Sequence, residues 1–135
     1  MNILWFGLGL AFAAATIGLF RPLGLARERL ALTMTLVAAA VIYVGFGLVW
    51  GSTAWVAIEI VGVAVYALPA ALSLIRGPIW LAIGWAAHPL WDVGLHLLGP
   101  GAHVAPHWYA VACLSFDLLV AAYVLVRFMG SKKAH

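Results

Sequence analysis

Residues 79–98 read IWLAIGWAAHPLWDVGLHLL, an apolar stretch interrupted every fourth residue by His88, Asp92 and His96. At 1.5 Å of rise per residue, a helix of that length crosses the ~30 Å hydrocarbon core of a bilayer. A charged side chain near the bilayer centre costs at least ~2.5–3.5 kcal/mol. A chain that places ionisable groups there has a use for them, and Glu59 and Asp117 interrupt neighbouring apolar stretches in the same way.

The surrounding composition fits that reading. The chain has 135 residues, 67% hydrophobic and 8% charged, with a mean hydropathy of +1.13. Soluble domains carry about 25% charged residues, so the composition is that of a polytopic membrane protein, and the length allows one domain, 1–135. The single cysteine, Cys113, excludes an intrachain disulfide and a multi-cysteine metal cage. A formal charge of +3 spread over a few arginines and terminal lysines is too sparse for a nucleic-acid surface.

Apolar segments at 3–20, 30–50, 54–75, 79–98 and 107–128 predict an all-α fold of five transmembrane helices. Gly and Pro punctuate the junctions: Arg21-Pro22-Leu23-Gly24, Gly51-Ser52-Thr53, Arg76-Gly77-Pro78 and Gly99-Pro100-Gly101. Pro106 suits the first turn of the fifth helix. Arg21, Arg27, Arg29, Arg76, Arg127, Lys132 and Lys133 all then fall on one side. The positive-inside rule makes that side cytoplasmic, with the N-terminus outside and the C-terminus inside. No positive charge precedes Ile3, which disfavours a cleaved signal peptide. Trp5, Trp50, Trp55 and Trp108 predict an outer aromatic belt, with Trp80 near the inner face. Gly7-x3-Ala11-x3-Ala15, Gly47-x3-Gly51 and Ala82-x3-Ala86 are stripes for close helix packing or a homo-oligomer contact.

Depth follows from helical rise. Glu59 lies ~7 Å below the outer surface, His96 ~4 Å, Asp92 ~10 Å, His88 ~16 Å and Asp117 ~15 Å. Helical phase puts Trp85, His88, Asp92 and His96 on one stripe of the fourth helix. Glu59, Gly62 and Tyr66 share a stripe on the third, and Tyr109, Cys113 and Asp117 on the fifth. These stripes are expected to converge in an outward-facing pocket. Pro89 cannot donate to the Trp85 carbonyl, so a bend is expected beside His88.

Three readings of the cluster stand side by side. Imidazole and carboxylate suit a divalent metal, Zn²⁺ or Fe²⁺, with candidate ligands His88, Asp92, His96 and His107. Haem on His88 or His96 suits the flanking carboxylates less well. His88 and His96 are ~12 Å apart along the axis, so one ion does not take both. Asp92 joins either a shallow set with Glu59 and His96 or a deep set with His88 and Asp117. The shallow set is the more accessible and therefore favoured. Glu59 and Asp117 are the candidate catalytic acid–base groups, acting on a lipid-like substrate that enters from the bilayer. The second reading is a proton- or ion-coupled transport path. The third is structural, with carboxyls joining helices in a subunit of a larger complex. Cys113 reads as a small packing residue, and His103 and His107 as loop residues.

Trp85-x2-His88-x2-Trp91-Asp92-x3-His96, with Pro106-x-Trp108-Tyr109-x3-Cys113-x3-Asp117, resembles a group of small bacterial integral membrane proteins of unknown function. The resemblance implies a multi-pass protein of the bacterial cytoplasmic (inner) membrane and carries no activity. His and Asp on membrane helices are also similar to the pattern of the alkaline ceramidase and adiponectin receptor superfamily, which implies zinc hydrolase chemistry. This chain departs from that pattern in having five predicted spans rather than seven and in lacking a separate Ser-x3-His helix.

Overall fold

The computed structural model describes residues 2–130. Lys132 and Lys133, which contribute to the charge asymmetry, lie outside the described residues. The fold is all-α. Helix α1 spans Asn2–Phe20 and ends in a 3₁₀ turn, Arg21–Leu23. Helices α2 (Leu25–Trp50) and α3 (Thr53–Ile75) follow. Helix α4 (Ile79–Trp91) runs into a π-turn, Asp92–Leu97, and α5 (His107–Val124) into a second, Leu125–Met129.

The junctions are built as the turn residues suggest. The Ser52 hydroxyl accepts the Trp55 N–H at 3.4 Å and caps α3. Gly77 takes φ +125°, open to glycine alone at low cost, which reverses the chain between α3 and α4. Pro106 stands just before α5, extended at φ −61° and ψ 133°, rather than inside its first turn.

Among the described residues, four helical segments are long and apolar enough to cross a membrane: Asn2–Leu23, Leu25–Trp50, Thr53–Ile75 and His107–Met129. The fourth helix is interrupted. Pro89 removes one backbone donor, and from Asp92 the helix widens, so that the Leu98 N–H reaches the Val93 carbonyl at 2.9 Å. Such π-turns break the phase of the side chains that follow.

Helix α5 lies at the centre of the bundle, with α1 on one flank and α4 on the other. Helix α4 in turn packs on α3, and α3 on α2, while α1 and α2 scarcely meet. Trp85, Leu32, Leu36, Leu81, Val120 and Val124 fill the core between α2, α4 and α5. The α1 contact uses Gly9 and Ala13, the buried residues of that helix. Gly9 lies against the Ala112 carbonyl and Ser115, and the Ser115 hydroxyl donates to the Phe6 carbonyl at 2.7 Å. The Gly7, Ala11 and Ala15 stripe faces outward instead. The close-packed α1–α5 seam therefore lies two residues out of register with the expected one. Gly47 does pack closely, against the Val56 backbone of α3. Trp5 and Trp108 meet at 5.9 Å between ring centroids, and Trp55 packs on His103 at 5.8 Å, so these tryptophans gather at one end of the bundle.

Candidate metal centre

His88 on α4, Asp92 one turn further, and Asp117 on α5 converge in the interior. The His88 Nδ1 lies 2.8 Å from Asp117 Oδ2 and 3.3 Å from Asp92 Oδ2. One ligand atom from each of the three falls within 4.8 Å of the others. None of the three is more than 1% exposed. His88 Nε2, both Asp92 carboxylate oxygens and Asp117 Oδ1 have no hydrogen-bond partner among the described residues.

Charge accounting sharpens this geometry. Two ionised carboxylates and a neutral imidazole sum to two negative charges. No Lys or Arg occurs between residues 30 and 75 or between 77 and 126. The compensating charge must be protons or a bound cation, because unpaired buried charge is prohibitively costly. A divalent ion with both carboxylates and a neutral imidazole brings the total to zero. Ligand atoms within 4.8 Å of one another leave room for a small ion held at the ~2.0–2.2 Å distances of nitrogen and carboxylate ligands.

His96 is built into a different set. Its Nδ1 lies 3.0 Å from the Gly101 carbonyl, an acceptor only, so Nδ1 carries the proton. Its Nε2 lies 2.9 Å from Glu59 Oε1. The Trp91 indole N–H donates to Glu59 Oε2 at 3.0 Å. Gly62 makes room for that indole, since a Cβ there would stand 2.7 Å from the ring. The favoured shallow set of Glu59, Asp92 and His96 is thus not the one assembled. Asp92 turns to His88, and both ring nitrogens of His96 are engaged elsewhere. The π-turn explains the split, because it rotates His96 away from the stripe it shares with His88 in a regular helix. His107 is exposed at the start of α5, and His103 is exposed against Trp55. Neither joins either group.

Tyr43 of α2 completes the surroundings. It stacks on His96, with centroids 4.6 Å apart and planes at 19°, and its ring centroid is 6.1 Å from that of His88. Its hydroxyl is buried. Tyr66 packs edge-on to His88 at 4.8 Å and donates to the Ala87 carbonyl. Sequence reasoning assigned the polar cluster to α3, α4 and α5 and passed over Tyr43. Its signal was a lone phenol in the middle of an aliphatic helix. Glu28 was also passed over. It is wholly buried, accepting from the Tyr123 hydroxyl and from Arg127 Nε, the latter at 3.1 Å. Flanking arginines at 27 and 29 hid it as one member of a charged loop.

No curated protein and no solved structure matches this chain. A family model matches residues 8–132, nearly the whole of the described bundle. The chain is therefore a member of that family, a family of unknown function (DUF6010).

Proposed function

We propose that His88, Asp92 and Asp117 hold a divalent ion, Zn²⁺ or Fe²⁺, inside a five-span membrane bundle, and that the protein is a metal-dependent enzyme acting on a lipid-like molecule. The observation that carries this reading is the burial of two carboxylates and an imidazole within 4.8 Å of one another in a stretch of chain without basic residues. A bound divalent ion at such a site polarises a substrate oxygen or lowers the pKa of water. Asp117, whose Oδ1 has no hydrogen-bond partner among the described residues, accepts a proton in this reading. Glu59, bonded to His96 and Trp91, is a positioning residue that fixes the end of α4. Charge asymmetry supports an outward N-terminus and α4 as a further span.

Elemental analysis of detergent-purified protein tests the metal reading. Near-stoichiometric Zn or Fe is expected in the wild type and in His96→Ala and His107→Ala, and loss is expected in His88→Ala and Asp92→Ala. No metal after chelator-free purification and repletion with Zn²⁺ or Fe²⁺ would overturn it.

A second reading, proton passage, draws on the buried polar groups towards the opposite end of the bundle: Glu28, and the Thr33 and Ser73 hydroxyls 3.1 Å apart. Proton flux in proteoliposomes, abolished by Asp92→Asn, distinguishes it from metal-dependent catalysis.

A further inference from the structure

Helices α1 and α2 diverge around α5 and leave a cleft of about 320 Å³, within the ~300–1,000 Å³ range of small-molecule sites. Its walls are almost wholly apolar, from Phe12 on α1, Ala38 and Ala39 on α2, and Phe116 on α5. Phe12 and Ile42 at its mouth are 60% and 43% exposed, on the outer surface of membrane-capable helices. Asp117 also lines the cleft. One oxygen of that carboxyl binds His88, and the other is buried without a partner.

We infer that this cleft binds the chain of a single-chain, uncharged amphiphile whose hydroxyl head reaches Asp117. Aliphatic walls alone cannot select such a ligand, because lipid tails are as apolar as the walls. Selection must come from the polar end. The unpartnered Asp117 Oδ1 accepts a hydrogen bond, so the head must donate one. It must also be neutral, since carrying a charge to that depth is costly. A hydroxyl is the smallest group that meets both conditions. The assignment names the ligand of the proposed centre and rests on that reading for its chemistry, while the binding itself can be tested alone.

The test uses two photoreactive probes in phosphatidylcholine nanodiscs: a long-chain alcohol carrying a diazirine on its chain, and the matching alkane. The alcohol is expected to label Phe12, Ala39 and Phe116, to be displaced by unlabelled alcohol, and to lose this labelling in Ala38→Trp, which fills the cleft from its lipid-exposed wall. The alkane is expected to label the cleft no more than other lipid-facing helix surfaces. Equal labelling by the two probes in the wild type overturns the inference, as does alcohol labelling that persists in a folded Ala38→Trp variant. Metal content is measured on the same samples. Alcohol-selective labelling without metal overturns the metal centre alone, and metal without alcohol-selective labelling overturns the cleft assignment alone.

Discussion

The His88 Nδ1 stands 2.8 Å from Asp117 Oδ2, a contact that ties α4 to α5 between two side chains shut off from solvent. Asp92 lies 3.3 Å from the same nitrogen, so a single imidazole edge faces two carboxylates. A pair of helices with apolar side chains at these positions would pack without any of that electrostatic cost. The arrangement is one that could hold a metal ion.

Bound metal should stabilise the fold by linkage. At a free concentration one hundred times the dissociation constant, an ion that binds only the native state adds about 2.7 kcal/mol. Zn²⁺ or Fe²⁺ is expected to raise the thermal midpoint of apo wild type, and not that of Asp92→Ala. Unfolding in detergent, followed by intrinsic fluorescence, measures both.

The Glu59 carboxylate meets two buried groups at once, the Trp91 indole N–H and His96 Nε2. Glu59→Ala is expected to destabilise by about 1–3 kcal/mol for each partner orphaned. Gly62→Val should act through the same contact by pushing the Trp91 indole off Glu59, at about 1–3 kcal/mol. Both variants are expected to retain metal, because neither residue belongs to the His88 group. Thermal unfolding paired with elemental analysis separates the two effects.

The α1–α5 seam depends on the absence of a side chain at Gly9, where a Cβ would overlap the Ala112 carbonyl and the Ser115 hydroxyl. Gly9→Val is expected to part the two helices, whereas Gly7→Val, with open space around it, should be nearly silent. Disulfide trapping between cysteines placed at Phe6 and Ser115, in a Cys113→Ser background, reports the seam directly. Trapping is expected with Gly7→Val and lost with Gly9→Val.

Glu28 and Arg127 form an ion pair whose acid is wholly buried and whose base is 28% exposed at the side chain. Among the described residues, Arg127→Met leaves Glu28 with the Tyr123 hydroxyl alone, and it is expected to cost about 3 kcal/mol. The double variant Glu28→Gln/Arg127→Met should recover most of that loss, since no uncompensated charge remains. A double-mutant cycle on unfolding midpoints checks the coupling.

Orientation is testable with single cysteines in a Cys113→Ser background. Ser52→Cys is expected to react with an impermeant maleimide on intact cells, and Leu25→Cys only after lysis. The reverse pattern would invert the positive-inside assignment.

Periodicity and composition decided what is local. Helix limits depend on apolar length and on Gly, Pro and Ser at the junctions, so the segments at 54–75 and 107–128 correspond closely to α3 and α5. That His88, Asp92 and Asp117 are ionisable groups set within apolar helices was also legible, because the apolar length around each is local. Their partners were not. Assigning Asp92 to His88 and Glu59 to His96 required the π-turn after Pro89, which changes helical phase by an amount no residue pattern specifies. The register of α1 depended on which small residue met the Ala112 carbonyl, and Gly7 and Gly9 look alike in sequence. Tyr43 and Glu28 entered the interior only because α2 lies across α4 and α5. By itself the sequence determined the helices and which ionisable groups lie within them. Tertiary structure decided which groups meet, since pairing depends on helix order and phase, and both are properties of the packed chain rather than of any one segment.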